Sequence, residues 1–216
     1  MAEQKSTAVA LYKASEYAIV AGGGSLNELM SENIGNGTVG DFDLDRIKVP
    51  AGGGTQWAVP TLEGVVSAAT IEGVVIAWKD VRSYWSVSFD EGGGGSPPEC
   101  SSADSVIGIG KPGGSCDKCP LSKFDTADKG GGQACRQMRY IFLSTPGSVL
   151  PYLLVAPPTS LKNMRQYFLR LASAGVPYYG ATTKFSLTPT KSKPSRTAAL
   201  PVEPLPVNGS RIVPAG

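Results

Sequence analysis

Residues 70–78, Thr-Ile-Glu-Gly-Val-Val-Ile-Ala-Trp, are the most apolar candidate strand in the chain and decide its fold class. Isoleucine, valine and tryptophan dominate this run, a composition typical of a β-strand. The only break is at Glu72–Gly73, and the charged segment Lys79–Arg82 that follows indicates a turn. The run therefore predicts the central strand of a β-rich domain.

Other short strand candidates lie on both sides of this run. They are Arg46–Pro50 and Thr61–Val66 before it, and Arg139–Leu143, Leu150–Val155 and Tyr178–Leu187 after it. The 216 residues include 27 glycines and 17 prolines. This excess favours short strands and turns over a helical bundle.

Two segments have helical patterns. Residues 4–21 have a helical composition and end at three glycines, whereas residues 22–60 are Gly-rich and irregular. Residues 159–174 place apolar side chains on one face, with Thr159 or Ser160 as a cap and Gly175 as a stop. We predict a mainly β fold with α: an OB-like small β-barrel with one late helix, a zinc-knuckle insert and an N-terminal helical segment.

The predicted organisation has three parts. An N-terminal helix and Gly-rich arm occupy residues 1–44, the OB-like domain with its insert at 100–135 occupies 45–188, and a Pro-rich basic tail occupies 189–216. Apolar stretches are far below the roughly 20 residues that a membrane span requires. Lys13 and Glu16 interrupt the N-terminal apolar residues, which disfavours a signal peptide. We therefore expect a reducing, cytoplasmic location.

The four cysteines follow the spacing C-x15-C-x2-C-x15-C. Cys116 and Cys119 form a knuckle that can direct two thiolates at one ion, and Cys100 and Cys135 can complete a tetrahedral sulfur site. Four cysteine ligands without an open position are typical of structural zinc. An iron–sulfur cluster and disulfides or free thiols are the alternatives, and a reducing compartment disfavours disulfides.

Several enzyme classes are disfavoured by composition and spacing. The chain has no histidine, which excludes Ser-His-Asp and Cys-His catalysis. A zinc deaminase requires a glutamate two residues after its first ligand, whereas Ser102 follows Cys100. Gly108, Gly110 and Gly113 match a dinucleotide-binding pattern, but a cysteine rather than a helix follows them. We therefore expect a protein that is not an enzyme.

Charge is divided unevenly along the chain. Residues 1–135 carry 10 Lys/Arg and 17 Asp/Glu, a net charge of −7, whereas residues 136–216 carry 10 Lys/Arg and one acid, a net charge of +9. A one-sided basic block indicates an anionic partner, most often nucleic acid. The alternative is a solvated surface on which opposite charges lie far apart.

Aromatic residues interleave with basic ones as in proteins that stack bases and contact phosphates of single strands. We predict as nucleic-acid-binding residues Trp57, Trp78, Arg82, Tyr84, Trp85, Arg136, Arg139, Tyr140, Lys162, Arg165, Tyr178, Tyr179 and Lys184. Trp85 with Tyr84 is expected to form an exposed platform, and Trp78 to lie partly in the core. The alternative for each ring is core packing, which we assign to Phe142, Tyr152 and Phe168.

Three segments carry a resemblance to known proteins: Cys116–Leu121, Gly132–Arg136 and Ala156–Tyr179. They resemble a group of bacteriophage and mobile-element proteins that is similar in layout to phage single-stranded DNA-binding proteins. Those carry an OB-fold and in some cases a zinc insert. The likeness covers roughly residues 45–188 and implies a replication or recombination accessory protein, with the metal held by the four cysteines. The tail is basic, whereas many single-strand binders recruit partners through an acidic tail.

Two functional hypotheses follow. The first is a sequence-tolerant single-stranded DNA-binding protein of phage or mobile-element replication or recombination. This protein would hold a structural zinc ion, would not associate with membranes and could associate with itself. The second is a phage structural or interaction protein, in which the zinc knuckle and basic tail contact another protein.

Overall fold

The computed structural model describes residues 25–35, 37–41, 43–47, 50, 54–87, 97–128, 131–146, 148–188 and 202–204. Within them the fold is mainly β, as predicted, with a nine-stranded mixed sheet, a two-stranded hairpin and two α-helices. The helix predicted at residues 4–21 lies outside the described residues. No helix in the described part of the chain is long and apolar enough to cross a membrane.

The described elements have the following bounds. The helices are α1 (Leu26–Ile34) and α2 (Pro158–Ser173), and the strands are β1 (Arg46–Ile47), β2 (Trp57–Thr61), β3 (Gly64–Ala68), β4 (Thr70–Tyr84), β5 (Cys100–Ser102), β6 (Ile107–Gly110), β7 (Gly114–Ser115), β8 (Arg136–Ser144), β9 (Tyr152–Ala156), β10 (Thr182–Ser186) and β11 (Val202–Pro204).

The large sheet has the order β1-β9-β8-β4-β5-β6-β7, with β10 paired to β4 and β11 paired to β10. The β1–β9 pair is parallel, and the other described pairs are antiparallel. Barrel closure is not found among the described strands, because no pairing joins the terminal strands β1 and β7. The mainly β prediction is confirmed, whereas the closed OB-like barrel is not.

Strand β4 is the central strand of the sheet and is 15 residues long. It pairs with β8 along one edge, while β10 and β5 share the other edge at its two ends. The turn predicted at Lys79–Arg82 is wrong, because these residues continue β4 and pair with Gln137–Tyr140 of β8. Gly73 permits close contact, since a Cβ there would approach Leu143 Cγ to 2.9 Å. Strand β4 thus connects the helix-packed half of the sheet with the cysteine block, residues 100–135.

Helix α2 covers one face of the sheet and forms the core with it. Met164, Tyr167 and Leu171 of α2 pack in one buried cluster with Ile141 and Leu154 of the sheet. Ser160 does not cap the helix as predicted. It is fully buried in the first turn, its N–H donates to the Pro157 carbonyl at 2.9 Å, and Pro157 is the cap without a side-chain bond.

Helix α1 falls in a region that the sequence predicts to be irregular. Ser25 and Glu28 form a capping box, in which Ser25 N donates to Glu28 Oε2 at 2.6 Å and Glu28 N donates to Ser25 Oγ at 3.4 Å. This reciprocal capping satisfies N–H groups that the first helical turn leaves unpaired. The Ser-x-x-Glu spacing is visible in the sequence and was the missed signal.

Candidate functional site

The cysteine block is held beside the end of β4 by backbone hydrogen bonds. Cys100 begins β5 in register with Tyr84, and Cys116 N donates to the Val106 carbonyl at 2.8 Å. Cys119 N donates to the Cys116 carbonyl at 3.3 Å, and Cys135 N donates to the Leu121 carbonyl at 2.8 Å. Cys119 is half-buried and the other three cysteines are buried.

The four thiols are neighbours. Burial raises the pKa of Cys135, the cation of Arg82 lowers it, and negative charge on the other three cysteines raises it further. The cysteines form no disulfide. Still, no group of three or more His, Cys, Asp or Glu side chains in the described ranges has the geometry of a metal site. The zinc site therefore stays a prediction.

Glycines permit the tight chain path around the thiols. Gly110, Gly113 and Gly114 have φ angles of 116°, 71° and 80°, which residues with a side chain rarely adopt. A Cβ on Gly108 would lie 2.9 Å from Cys100 Sγ. These positions therefore require glycine because of backbone conformation or of close approach to a thiol.

Four aromatic side chains contact one another in succession, from β4 through α2 to the segment before β10. The ring centroids are 5.9 Å apart from Trp78 to Phe168, 5.9 Å from Phe168 to Tyr178, and 5.2 Å from Tyr178 to Tyr179. Trp78 is 38% exposed and Tyr179 is 60% exposed. We call these four residues the aromatic path. Phe168, which the sequence assigns to the core, is half-buried, packs against the core cluster and lies between Trp78 and Tyr178.

The predicted cations fall into two groups, those paired with a carboxylate and those that are exposed. The Arg139 guanidinium lies 4.0 Å from the Trp78 ring centroid and donates to Asp80 at 2.7 and 2.9 Å. Lys184 Nζ lies 3.2 Å from Glu72 Oε1. These two predicted phosphate contacts are therefore engaged by carboxylates. Lys162 and Arg165 are exposed on α2, and Arg165 lies one turn before Phe168.

Three other residues predicted to bind nucleic acid, Tyr140, Trp57 and Arg82, lie outside the aromatic path. Tyr140 lies on the sheet face opposite Arg139, since successive side chains of a strand alternate, and Arg46 lies 5.9 Å from its ring. Trp57 is fully buried in the main cluster and offers no ring face to a base. Arg82 donates to the Cys135 carbonyl at 3.5 Å, so it supports the cysteine block.

A cleft lies where the end of β4 meets the cysteine block. Tyr84, Trp85 and Arg136 line it together with residues of the block. Trp85 is half-buried rather than the exposed platform that the sequence predicts. Trp78 is the more exposed of the two, although it packs against Phe168. The structure therefore places Trp78, Tyr178 and Tyr179 in the aromatic path. It places Tyr84, Trp85 and Arg136 at this cleft.

No protein-family model matches the chain, and comparisons with curated proteins and with solved structures found no match. The resemblance to phage single-stranded DNA-binding proteins therefore stays a prediction. The chemistry of the chain's own residues has to carry any functional assignment.

Proposed function

We propose that this protein binds single-stranded DNA without catalysing a reaction, as an accessory protein in phage or mobile-element replication or recombination. The aromatic path carries the proposal. Its four rings follow one another at 5.2 to 5.9 Å, and the rings at both ends are exposed. Stacking on such rings contributes roughly 1–3 kcal/mol per base and tolerates any sequence, because every base has a π-face.

Exposed cations on α2 and at the cleft beside the end of β4 supply the phosphate contacts in this proposal. Lys162, Arg165 and Arg170 are exposed on α2, and Arg136 is exposed at the start of β8. Arg139 and Lys184 contribute less, because Asp80 and Glu72 already compensate their charge. Each phosphate contact adds about −0.7 to the slope of log K against log[salt] for a single strand. Four contacts therefore predict a slope of about −3.

The proposal includes a structural zinc ion held by Cys100, Cys116, Cys119 and Cys135. Their mutual proximity and the absence of disulfides among them favour it over cross-linking. The proposal also includes an OB-like chain topology. The long strand β4 favours this topology, because β4 pairs with β8 along one edge and with β10 and β5 along the other. OB-folds are small, partly open barrels that bind strands on their sheet face and loops.

A titration with a labelled oligonucleotide at two salt concentrations tests this function. Tyr179→Ala should weaken single-strand binding about 5- to 150-fold, since it removes one stacking ring. Phe124→Ala is the matched control, because Phe124 is 73% exposed but lies off the path. Equal affinity for duplex and single strands, a flat salt response, or equal effects of the two variants would contradict the proposal.

A second candidate function is protein interaction through the cysteine block. Ile107 and Ile109 of β6 are 54% and 79% exposed, and Phe124 is 73% exposed. Exposed apolar side chains such as Ile107 and Ile109, which share one face of β6, are typical of interaction surfaces. If the block mediates self-association, Ile109→Asp will shift an oligomer to monomer in sedimentation analysis. An unchanged sedimentation coefficient would count against this candidate.

A further inference from the structure

We infer that the cleft between β4 and the cysteine block accepts one nucleobase of the bound strand. This inference rests on the proposed function, and it adds a site distinct from the aromatic path. The cleft has a volume of about 170 Å³. Pockets for drug-sized ligands have volumes of about 300–1,000 Å³. The cleft is therefore too small for a large cofactor and suits a single planar ring system.

The β4 side of the cleft is held in place by Glu99. Glu99 N donates to the Tyr84 carbonyl at 2.9 Å, and Ser86 N donates to Glu99 Oε1 at 3.3 Å. The Ser86 hydroxyl also donates to this carboxylate. These bonds fix the chain on both sides of Trp85. A backbone fixed on both sides of Trp85 loses little conformational freedom when a base stacks on the ring.

The opposite wall comes from the cysteine block and is equally well defined. Gln133 Nε2 donates to the Ser122 carbonyl at 2.7 Å, and Ala134 N donates to Thr126 Oγ1 at 3.0 Å. Thr126 Oγ1 in turn donates to the Lys123 carbonyl at 2.7 Å. The wall is thus a hydrogen-bonded loop tied to the segment that carries the cysteines.

The lining combines the groups that a base and its phosphate require. Tyr84 and Trp85 supply aromatic surface, and Gln133 and Asp128 add amide and carboxylate oxygens that accept hydrogen bonds from base edges. Arg136 is exposed and lines the same cleft, where it can contact a flanking phosphate. A nucleotide combines a planar base that has polar edges with an anionic phosphate, so it matches this set of groups.

Filling the cleft is the sharpest test, because it removes no existing contact. Ala134→Leu adds bulk to a half-buried lining residue, and Ala172→Leu adds the same bulk on the exposed face of α2. The probes are an oligothymidylate of about 12 nucleotides, within the usual range of site sizes, and an abasic oligomer of equal length measured at low salt. Metal content and melting temperature verify that each variant folds. Ala127→Leu fills the cleft from a second position if Ala134→Leu is unstable.

We expect Ala134→Leu to weaken oligothymidylate binding about 5- to 150-fold, whereas Ala172→Leu leaves it unchanged. On the abasic oligomer the wild type and Ala134→Leu should bind equally. Wild-type affinity in the filled variants, while Tyr179→Ala still weakens binding, would overturn this inference and leave the proposed function intact. An equal loss on both probes would also overturn it, since the cleft would then contact backbone. A wild type that binds neither probe would overturn both proposals.

Discussion

The sheet core and the cysteine block are stabilised by different means. The core buries large apolar side chains such as Trp57, Leu154 and Phe185 completely. In the described part of the block, the buried residues other than Gly108 are cysteines and serines: Cys100, Ser102, Cys116, Ser122 and Cys135. Apolar burial at about 25 cal/mol per Å² can support the first region but not the second. The block therefore depends on hydrogen bonds, on glycine geometry and, in our proposal, on zinc.

Metal removal should have the largest effect and should be confined to the block. A structural zinc site can supply on the order of 10 kcal/mol of folding free energy. Cys119→Ser should release the metal and unfold residues 100–135, while the α2-packed sheet persists. Metal analysis and hydrogen exchange of the same sample measure both effects, and Ser115→Ala is an exposed neighbouring control. A metal-free wild type whose block is fully protected from exchange would refute this dependence.

Trp57→Ala should show the reverse pattern. Because Trp57 is fully buried in the main cluster, its truncation should lower the free energy of unfolding by about 3–5 kcal/mol, without lowering metal content. Leu62→Ala in the same hairpin is the control, since Leu62 is 94% exposed. Urea unfolding measures the free energy of unfolding of both variants. Similar losses in the two variants would contradict the assignment of Trp57 to the core.

Gly110→Ala tests the backbone geometry of the block. Gly110 has a φ angle of 116°, and a Cβ there would collide with the Glu99 carbonyl. Gly114 has a φ angle of 80° but open space around its Cβ position. Strain of this kind costs about 1–3 kcal/mol, so Gly110→Ala should reach the upper end and Gly114→Ala the lower end. Competition with a chelator measures metal retention in both variants. Equal retention would contradict the close contact between a Cβ at Gly110 and the Glu99 carbonyl.

Tyr167→Phe should have the smallest effect and should act on the sheet core alone. The hydroxyls of Tyr167 and Thr183 lie 2.9 Å apart, and both residues are buried. Removing one partner leaves the Thr183 hydroxyl without that bond, which costs about 1–2 kcal/mol. Tyr179→Phe should change thermal stability by less than about 0.5 kcal/mol, because Tyr179 is 60% exposed. A melting temperature that is unchanged in both variants would show that the hydrogen bond contributes nothing.

Local patterns predicted many of the elements. The apolar run at residues 70–78 lies within β4, and the helix predicted at 159–174 corresponds to α2 at Pro158–Ser173. Strand bounds were less well predicted. Strand β4 continues through Lys79–Arg82 because Asp80 pairs across the sheet with Arg139, 59 residues away in sequence. Strand β11 lies in the Pro-rich basic tail, for which no strand was predicted, and it forms because β10 offers an edge for pairing.

The sequence by itself determined the strand-rich class, helix α2 and the spacing of the four cysteines. These are properties of composition and of near neighbours along the chain. Only the tertiary structure decided which rings are accessible: Trp57 is buried, Trp85 is half-buried, and Phe168 joins Trp78 to Tyr178. Exposure depends on which distant element covers a given face, and aromatic side chains suit both a core and a binding surface.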